Sequence, residues 1–200
     1  MYSNIKAYMI KKTTDSSAEL ISLTEAKAHL RVDHSDDDTY ITTLIEVVRQ
    51  SLEISTKRAL AASQTYKAYY PDFPFSYDFL EVPRPPLVSV SSVKYYDTND
   101  VQQTVATDKY IVDDNGSNCA LISFKDTFSK PTIYSRRNYP VEVEFTAGYT
   151  ELPKPLHQAS LLAISHYYDT REPVSFASMP FKIERSIDFL VNQFRVRSAC

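Results

Sequence analysis

Residues 22–58 read SLTEAKAHLRVDHSDDDTYITTLIEVVRQSLEISTKR, and two helices are written into them. Ser22-Leu23-Thr24-Glu25 has the form of a capping box, with Ser22 as N-cap and Glu25 reaching back to its amide. Leu23, Ala26 and Leu30 then share one face of a short helix that stops near Val32-Asp33. An acidic run follows at Asp33, Asp36, Asp37 and Asp38. Beyond it Ile41, Leu44, Ile45, Val48 and Leu52 recur at helical spacing, predicting a long helix from about Asp37 to Arg58. The aspartates sit where the helix dipole is positive, and Lys57-Arg58 sit where it is negative, each placement contributing about 0.3–1 kcal/mol.

Upstream, residues 1–20 are polar and aperiodic, ending in Thr13-Thr14-Asp15-Ser16-Ser17, and read as a flexible, extended arm. Downstream the texture changes to β-branched and aromatic runs. Thr65–Tyr70, Phe79–Val82, Leu87–Tyr96, Tyr110–Val112, Ala120–Phe124 and Val141–Phe145 are predicted strands. Pro83-Arg84-Pro85-Pro86 ends the second. Asn115-Gly116 between Val112 and Ala120 is a hairpin signal, because both positions tolerate positive φ. Helix returns after Pro153 and Pro155, as proline suits a first turn. Leu156–Tyr168 is apolar on nearly every side and must be buried, in the core or between subunits. A last helix over about Lys182–Gln193 places Ile183, Ile187, Leu190 and Phe194 on one stripe. The chain is therefore expected to be α+β. Helices from residues 21–62 and 150–194 form one bundle, residues 63–149 are an inserted antiparallel β module, and residues 195–200 are a tail.

Composition narrows the function. A formal net charge of −3 gives no general pull toward a polyanion. Two glycines, Gly116 and Gly148, cannot build a phosphate-cradling loop, which excludes P-loop and dinucleotide sites. Cys119 and Cys200 make no disulfide framework, and no stretch approaches the roughly 18 apolar residues of a membrane span. The expectation is a protein made in a reducing cytoplasm, with no membrane partner.

No convergent catalytic set emerges. His157 and His166 are nine residues apart, about two and a half turns, so they lie on opposite helix faces and form no metal pair. The Asp33–Asp38 run lacks the glycine and distal glutamate of an EF-hand and reads as capping and solvation. Cys119 reads as a strand cysteine without an activating partner. Glu142 and Glu144 alternate cleanly and read as the solvated face of a strand. Arg136-Arg137 is a candidate phosphate contact. The tyrosines crowding the β region lie among residues of mixed charge and favour packing and interfaces. The expectation is no enzyme, no cofactor and no metal.

Several segments resemble the adaptor, or head-completion, proteins of long-tailed phages and gene transfer agents. They are Leu23–Asp33 with Asp36-Asp37-Asp38 and Leu44 through Leu60; Val82-Pro83-Arg84-Pro85-Pro86-Leu87 leading to Val90–Tyr95; Phe145-Thr146-Ala147-Gly148-Tyr149 with Pro153–Leu156 and Ala163–Tyr168; and the final helix ending in Phe194-Arg195-Val196. That family often has Gly where Lys57 stands and Trp where Tyr167 or Tyr168 stands.

The resemblance implies a structural adaptor of the virion neck, assembled in the host cytoplasm. Such a subunit forms a homo-oligomeric ring, dodecameric by expectation, on the portal protein after DNA packaging. It extends the channel, lets DNA pass without reading its sequence, and offers a platform to a stopper or tail-completion protein. Carried over, portal docking falls to Phe194, Arg195, Val196 and Arg197. The all-apolar helix suggests subunit contacts at Leu161, Ile164, Tyr167 and Tyr168, and Arg136 and Arg137 are candidates for contact with DNA in the lumen. Rival readings are a stopper or tail-terminator, a nucleic-acid-binding module using Arg136, Arg137, Arg195 and Arg197, and a small hydrolase.

Overall fold

A computed structural model describes residues 4–16, 19, 21–74, 79–114, 119–170 and 181–196. It is α+β, with four helices and two sheets. In chain order the elements are β1 (Asn4–Ile5), β2 (Met9–Thr14), α1 (Leu23–Leu30), α2 (Asp38–Thr56), β3 (Gln64–Tyr70), β4 (Phe79–Val82), β5 (Leu87–Tyr96), β6 (Gln102–Thr104), β7 (Tyr110–Asp113), β8 (Ala120–Phe124), β9 (Val141–Ala147), α3 (Lys154–Asp169) and α4 (Phe181–Asn192). They divide into two compact units. The described residues within Met1–Ser16 and Ala62–Gly148 form one, and those within Ser17–Ala61 and Tyr149–Val196 form the other.

The helical unit has one core. Ile41, Ile45, Val48 and Leu52 from α2 meet Leu156, Ala159 and Ile164 from α3, Ala26 from α1 and Val191 from α4. Each large apolar side chain buried in this way contributes about 1.5–3 kcal/mol. α3 packs against α1, α2 and α4 together, which is why its sequence is apolar on nearly every side. Ser22 caps α1 as its sequence predicts, accepting from the Glu25 amide at 3.2 Å. The other half of the expected box differs, since Glu25 Oε1 lies 2.8 Å from His157 Nε2 near the start of α3. Asp37 is the N-cap residue of α2, but its carboxylate accepts from the Tyr168 hydroxyl at 2.5 Å rather than from its own helix. α1 and α2 both end on left-handed residues, Arg31 and Lys57, each at φ 59°.

The β unit holds a four-stranded sheet ordered β1-β4-β8-β7 and a five-stranded sheet ordered β2-β3-β9-β5-β6. All pairings are antiparallel except β1 with β4. Tyr70 on β3 donates to the Glu81 carbonyl of β4 at 2.7 Å, so a hydroxyl links strands of different sheets. Fully buried Phe73 stacks edge-on against Phe124 and Tyr95, extending the same join. Gly148 leaves β9 at φ 135°, a region open to glycine, and its amide donates to the Pro86 carbonyl.

Two expectations are corrected and one strand is added. The arm is not free along its length: Met9–Thr14 pairs with β3, because the β3 edge needs a ladder partner that a polar segment can supply. Gln102–Thr104 adds a strand that its short polar sequence did not announce. Glu142 is not on a solvated face; it is 6% exposed and bonds Lys67 at 2.8 Å, because β9 is the central strand and lysines on both neighbours lie across it. Asn115-Gly116, Arg197, Ser198–Cys200, the helix stop at Arg171–Pro173 and the Ile183 side chain lie outside the described residues.

Candidate assembly surfaces

The C-terminal segment was expected to face a partner, yet it closes the end of α2. A helix leaves its last carbonyls without intrahelical donors. Here the Val196 amide donates to the Thr56 carbonyl at 2.9 Å, and Arg195 Nε donates to the Ser55 carbonyl at 3.0 Å. Arg58, buried beside the same terminus, donates through Nε to the Phe194 carbonyl at 2.5 Å and through a second nitrogen to the Tyr149 hydroxyl at 3.3 Å. Burial pushes the Tyr149 phenol above its ordinary pKa, and the Arg58 cation opposes that shift. Two guanidiniums thus lie where the α2 dipole is negative. Phe194 and Val196 pack inward, Val196 being 7% exposed. Of the four residues expected at the portal, Arg195 is exposed and Arg197 is outside the described residues.

The expected subunit contacts separate in the same way. Leu161 and Ile164 are buried within the helical unit at 8% and 1% exposure, as part of its own core. Tyr168 is partly buried and committed to Asp37. Tyr167, 43% exposed, remains available on the surface. It lines a groove of about 320 Å³ with Val48, Ser51 and Leu52 of α2, Ala163 of α3, and Ile187 and Asp188 of α4. Val47, Ile54 and Phe189 are also exposed on this unit, Phe189 at 78%.

In the β unit, Arg137 lies 3.6 Å from the Tyr96 ring centre and bonds Asp100 at 2.5 Å. Asp100 holds its guanidinium more firmly protonated, and the pair is electrically balanced. Arg136 is exposed. The turn holding Asp100 is fixed by Asp97, whose carboxylate accepts from Gln103 and from the Val101 and Asn99 amides and is held below the usual carboxylate range.

A buried ionic group escaped the sequence reading. Arg49 of α2, its side chain 4% exposed, meets Glu19 through two nitrogens at 2.8 and 3.1 Å and Glu53 at 3.6 Å. Glu53 in turn accepts from the Leu60 amide at 3.3 Å. Its signal was present as an Arg–Glu pair at i,i+4 on the flank of the apolar stripe. Among the described residues, no three His, Cys, Asp or Glu side chains gather as a metal site, and no helix is long and apolar enough to cross a membrane.

No curated protein matches the chain. Solved structures do. The chain resembles a protein in the neck of an empty gene transfer agent particle computed with C6 symmetry, with TM-score 0.76 and 21% identity over 96% of this chain and 97% of that one. A protein from the virion of the native particle gives 0.76 and 22% over the same shares. One from the native neck computed with C12 symmetry gives 0.72 and 21%, again over the same shares. At such identities the likeness speaks for the fold. The family model described as phage gp6-like head-tail connector protein matches residues 20–130, from just before α1 to just past β8, and the chain belongs to that family.

Proposed function

We propose that this chain is a structural adaptor of the virion neck, assembling as a twelve-membered ring on the portal after DNA packaging, extending the DNA channel and seating a stopper or tail. The observation that carries this reading is the family match over residues 20–130, joined to a fold shared over 96% of the chain with proteins in gene transfer agent necks computed with C6 and C12 symmetry. The rings of such an assembly need two different patches on each copy. Tyr167 with the α2–α4 groove supplies one candidate patch. A helical bundle closed by its own C-terminal segment suits a load-bearing wall. The balanced Arg137–Asp100 pair, with a net charge of −3, suits a channel that DNA must slide through.

Portal docking is assigned to Arg195 and to the residues beyond Val196, Arg197 included. The test is cryo-EM of the full chain with its portal, beside a chain ending at Val196. Ending it after Leu190 would strip Val191, Phe194 and Val196 from the core and confound docking with folding. A ring on the outer mouth of the portal with the full chain alone supports both claims. Rings from both chains keep the adaptor and discard the tail as anchor. No ring from either overturns the reading and turns attention to a stopper or tail-terminator role.

A further inference from the structure

Residues 4–14 have no part in the adaptor reading, yet they place β1 at an edge of the four-stranded sheet and β2 at an edge of the five-stranded one. The arm is held mainly through its backbone. Of the residues in β2 only Lys12 is even half-buried, and Tyr8, Met9 and Ile10 are 73%, 45% and 39% exposed. Its side-chain contacts include Tyr8 stacked on Tyr139 at 4.5 Å, Lys12 5.9 Å from the Tyr66 ring and paired with Asp15 at 3.2 Å, and the Thr13 hydroxyl donating to the Thr65 carbonyl at 3.1 Å. Directly across the ladder, Lys11 faces Lys67, and like charges in opposed positions weaken a strand pair. Lys67 does not need the arm, because its ammonium bonds Glu142 on β9 at 2.8 Å.

β3, by contrast, cannot stay bare. Its alternate residues Gln64, Tyr66, Ala68 and Tyr70 are buried, and without β2 its backbone would be an open edge inviting pairing. The structure therefore combines an edge that requires a strand with a strand that is lightly held. Any copy of the same arm satisfies that edge equally, and exchange of an identical element is a low-cost route to assembly. The spacer limits the reach. Glu19 is held by Arg49 through two hydrogen bonds, and the five residues from Thr14 to Glu19 span at most about 17 Å, so only an adjacent copy is accessible.

We propose that residues 4–14 are an exchange arm, whose β2 in the assembled ring pairs along β3, and whose β1 pairs along β4, of the adjacent copy. This rests on the ring reading, and it makes each copy a donor and an acceptor, so that repeated weak pairings act together around the ring.

The opposed lysines provide the test without any substitution. Normal and heavy-isotope-labelled full-length chains are mixed in equal amounts and assembled on the portal. Ring formation is confirmed by native mass, and the rings are then treated with a short amine-reactive cross-linker. Lys11–Lys67 links in the ring should then be mixed-isotope as often as matched, while unassembled chain gives matched links alone. Rings whose Lys11–Lys67 links are all matched overturn the exchange and leave the ring reading intact. Rings with no such link overturn it too, the arm having left β3 for another site. Absence of rings overturns the ring reading and the exchange with it.

Discussion

Replacing Arg49 by Met should be among the most damaging single changes in the helical unit. Arg49 is 3% exposed overall, and its guanidinium answers Glu19 at 2.8 and 3.1 Å and Glu53 at 3.6 Å. Methionine fills much of the same apolar volume, so the change isolates the charge. Glu53, 5% exposed, would keep the Leu60 amide at 3.3 Å but lose the Arg49 guanidinium. Breaking a buried pair from one side typically costs about 3–5 kcal/mol, because the remaining charge stays out of water uncompensated. Adding Glu53→Gln should recover much of that loss, since a neutral amide oxygen still accepts from Leu60 while the carboxylate left by Arg49 is removed. Changing both partners is not free, because Glu19 still loses a bidentate donor worth about 1.5–3 kcal/mol. The measurement is urea unfolding followed by far-UV circular dichroism for the parent, both single variants and the double variant, giving a coupling energy. A loss below about 1 kcal/mol for Arg49→Met, the scale of a solvent-exposed ion pair, would refute the claim that this group is a buried network.

Three further predictions follow from single positions. Lys57→Gly should stabilise by about 1 kcal/mol, since a left-handed residue at φ 59° costs roughly 1–2 kcal/mol with a side chain and glycine returns part of that as unfolded-state entropy. A calorimetric Tm that falls instead of rising would contradict it. Phe194→Ala should cost about 3 kcal/mol at the upper end of its half-buried packing, although the residue sits near the chain terminus, and chemical denaturation checks it. Tyr70 is held protonated well above the ordinary phenol range, first by burial and then by Glu81 and Cys119. Below a pH of about 10 both states keep the proton and stability is intact; above it the unfolded chain ionises first, and stability falls by up to about 1.4 kcal/mol per pH unit for this group. Tyr70→Phe should flatten that alkaline slope in unfolding curves taken across the range, at a cost of about 1 kcal/mol at neutral pH for the lost bond to the Glu81 carbonyl.

The helices were legible because their positions are set by a repeating demand for burial. Ile41, Ile45, Val48 and Leu52 had to face one core, and they do. β8 and β9 were legible for the same reason at period two. β2 was not, because an edge strand with most of its side chains in water carries no burial pattern; MIKKTT pairs through its backbone, which every sequence possesses. Glu142 misled for a related reason. Alternation marks two faces, but it does not say that a neighbour's lysine will cover the polar one.

The assembly residues were harder to read, and the difficulty has one physical source. An apolar helix must be buried, but burial in its own subunit and burial against a neighbour leave the same residues in the sequence. Leu161 and Ile164 lie in the unit's own core, while Tyr167 is exposed beside the groove. The same ambiguity governs the C-terminus, where Phe194 and Val196 look like a docking motif and act as a cap on α2. That cap joins the two expectations. The Val196 amide and Arg195 side chain hold the last carbonyls of α2, while Arg58 ties Phe194 to the same helix end. If residues beyond Val196 engage a portal, the pull is delivered to α2 and so to the core that positions Tyr167 and the groove beside it. The proposed docking and ring contact would then bear on one helix.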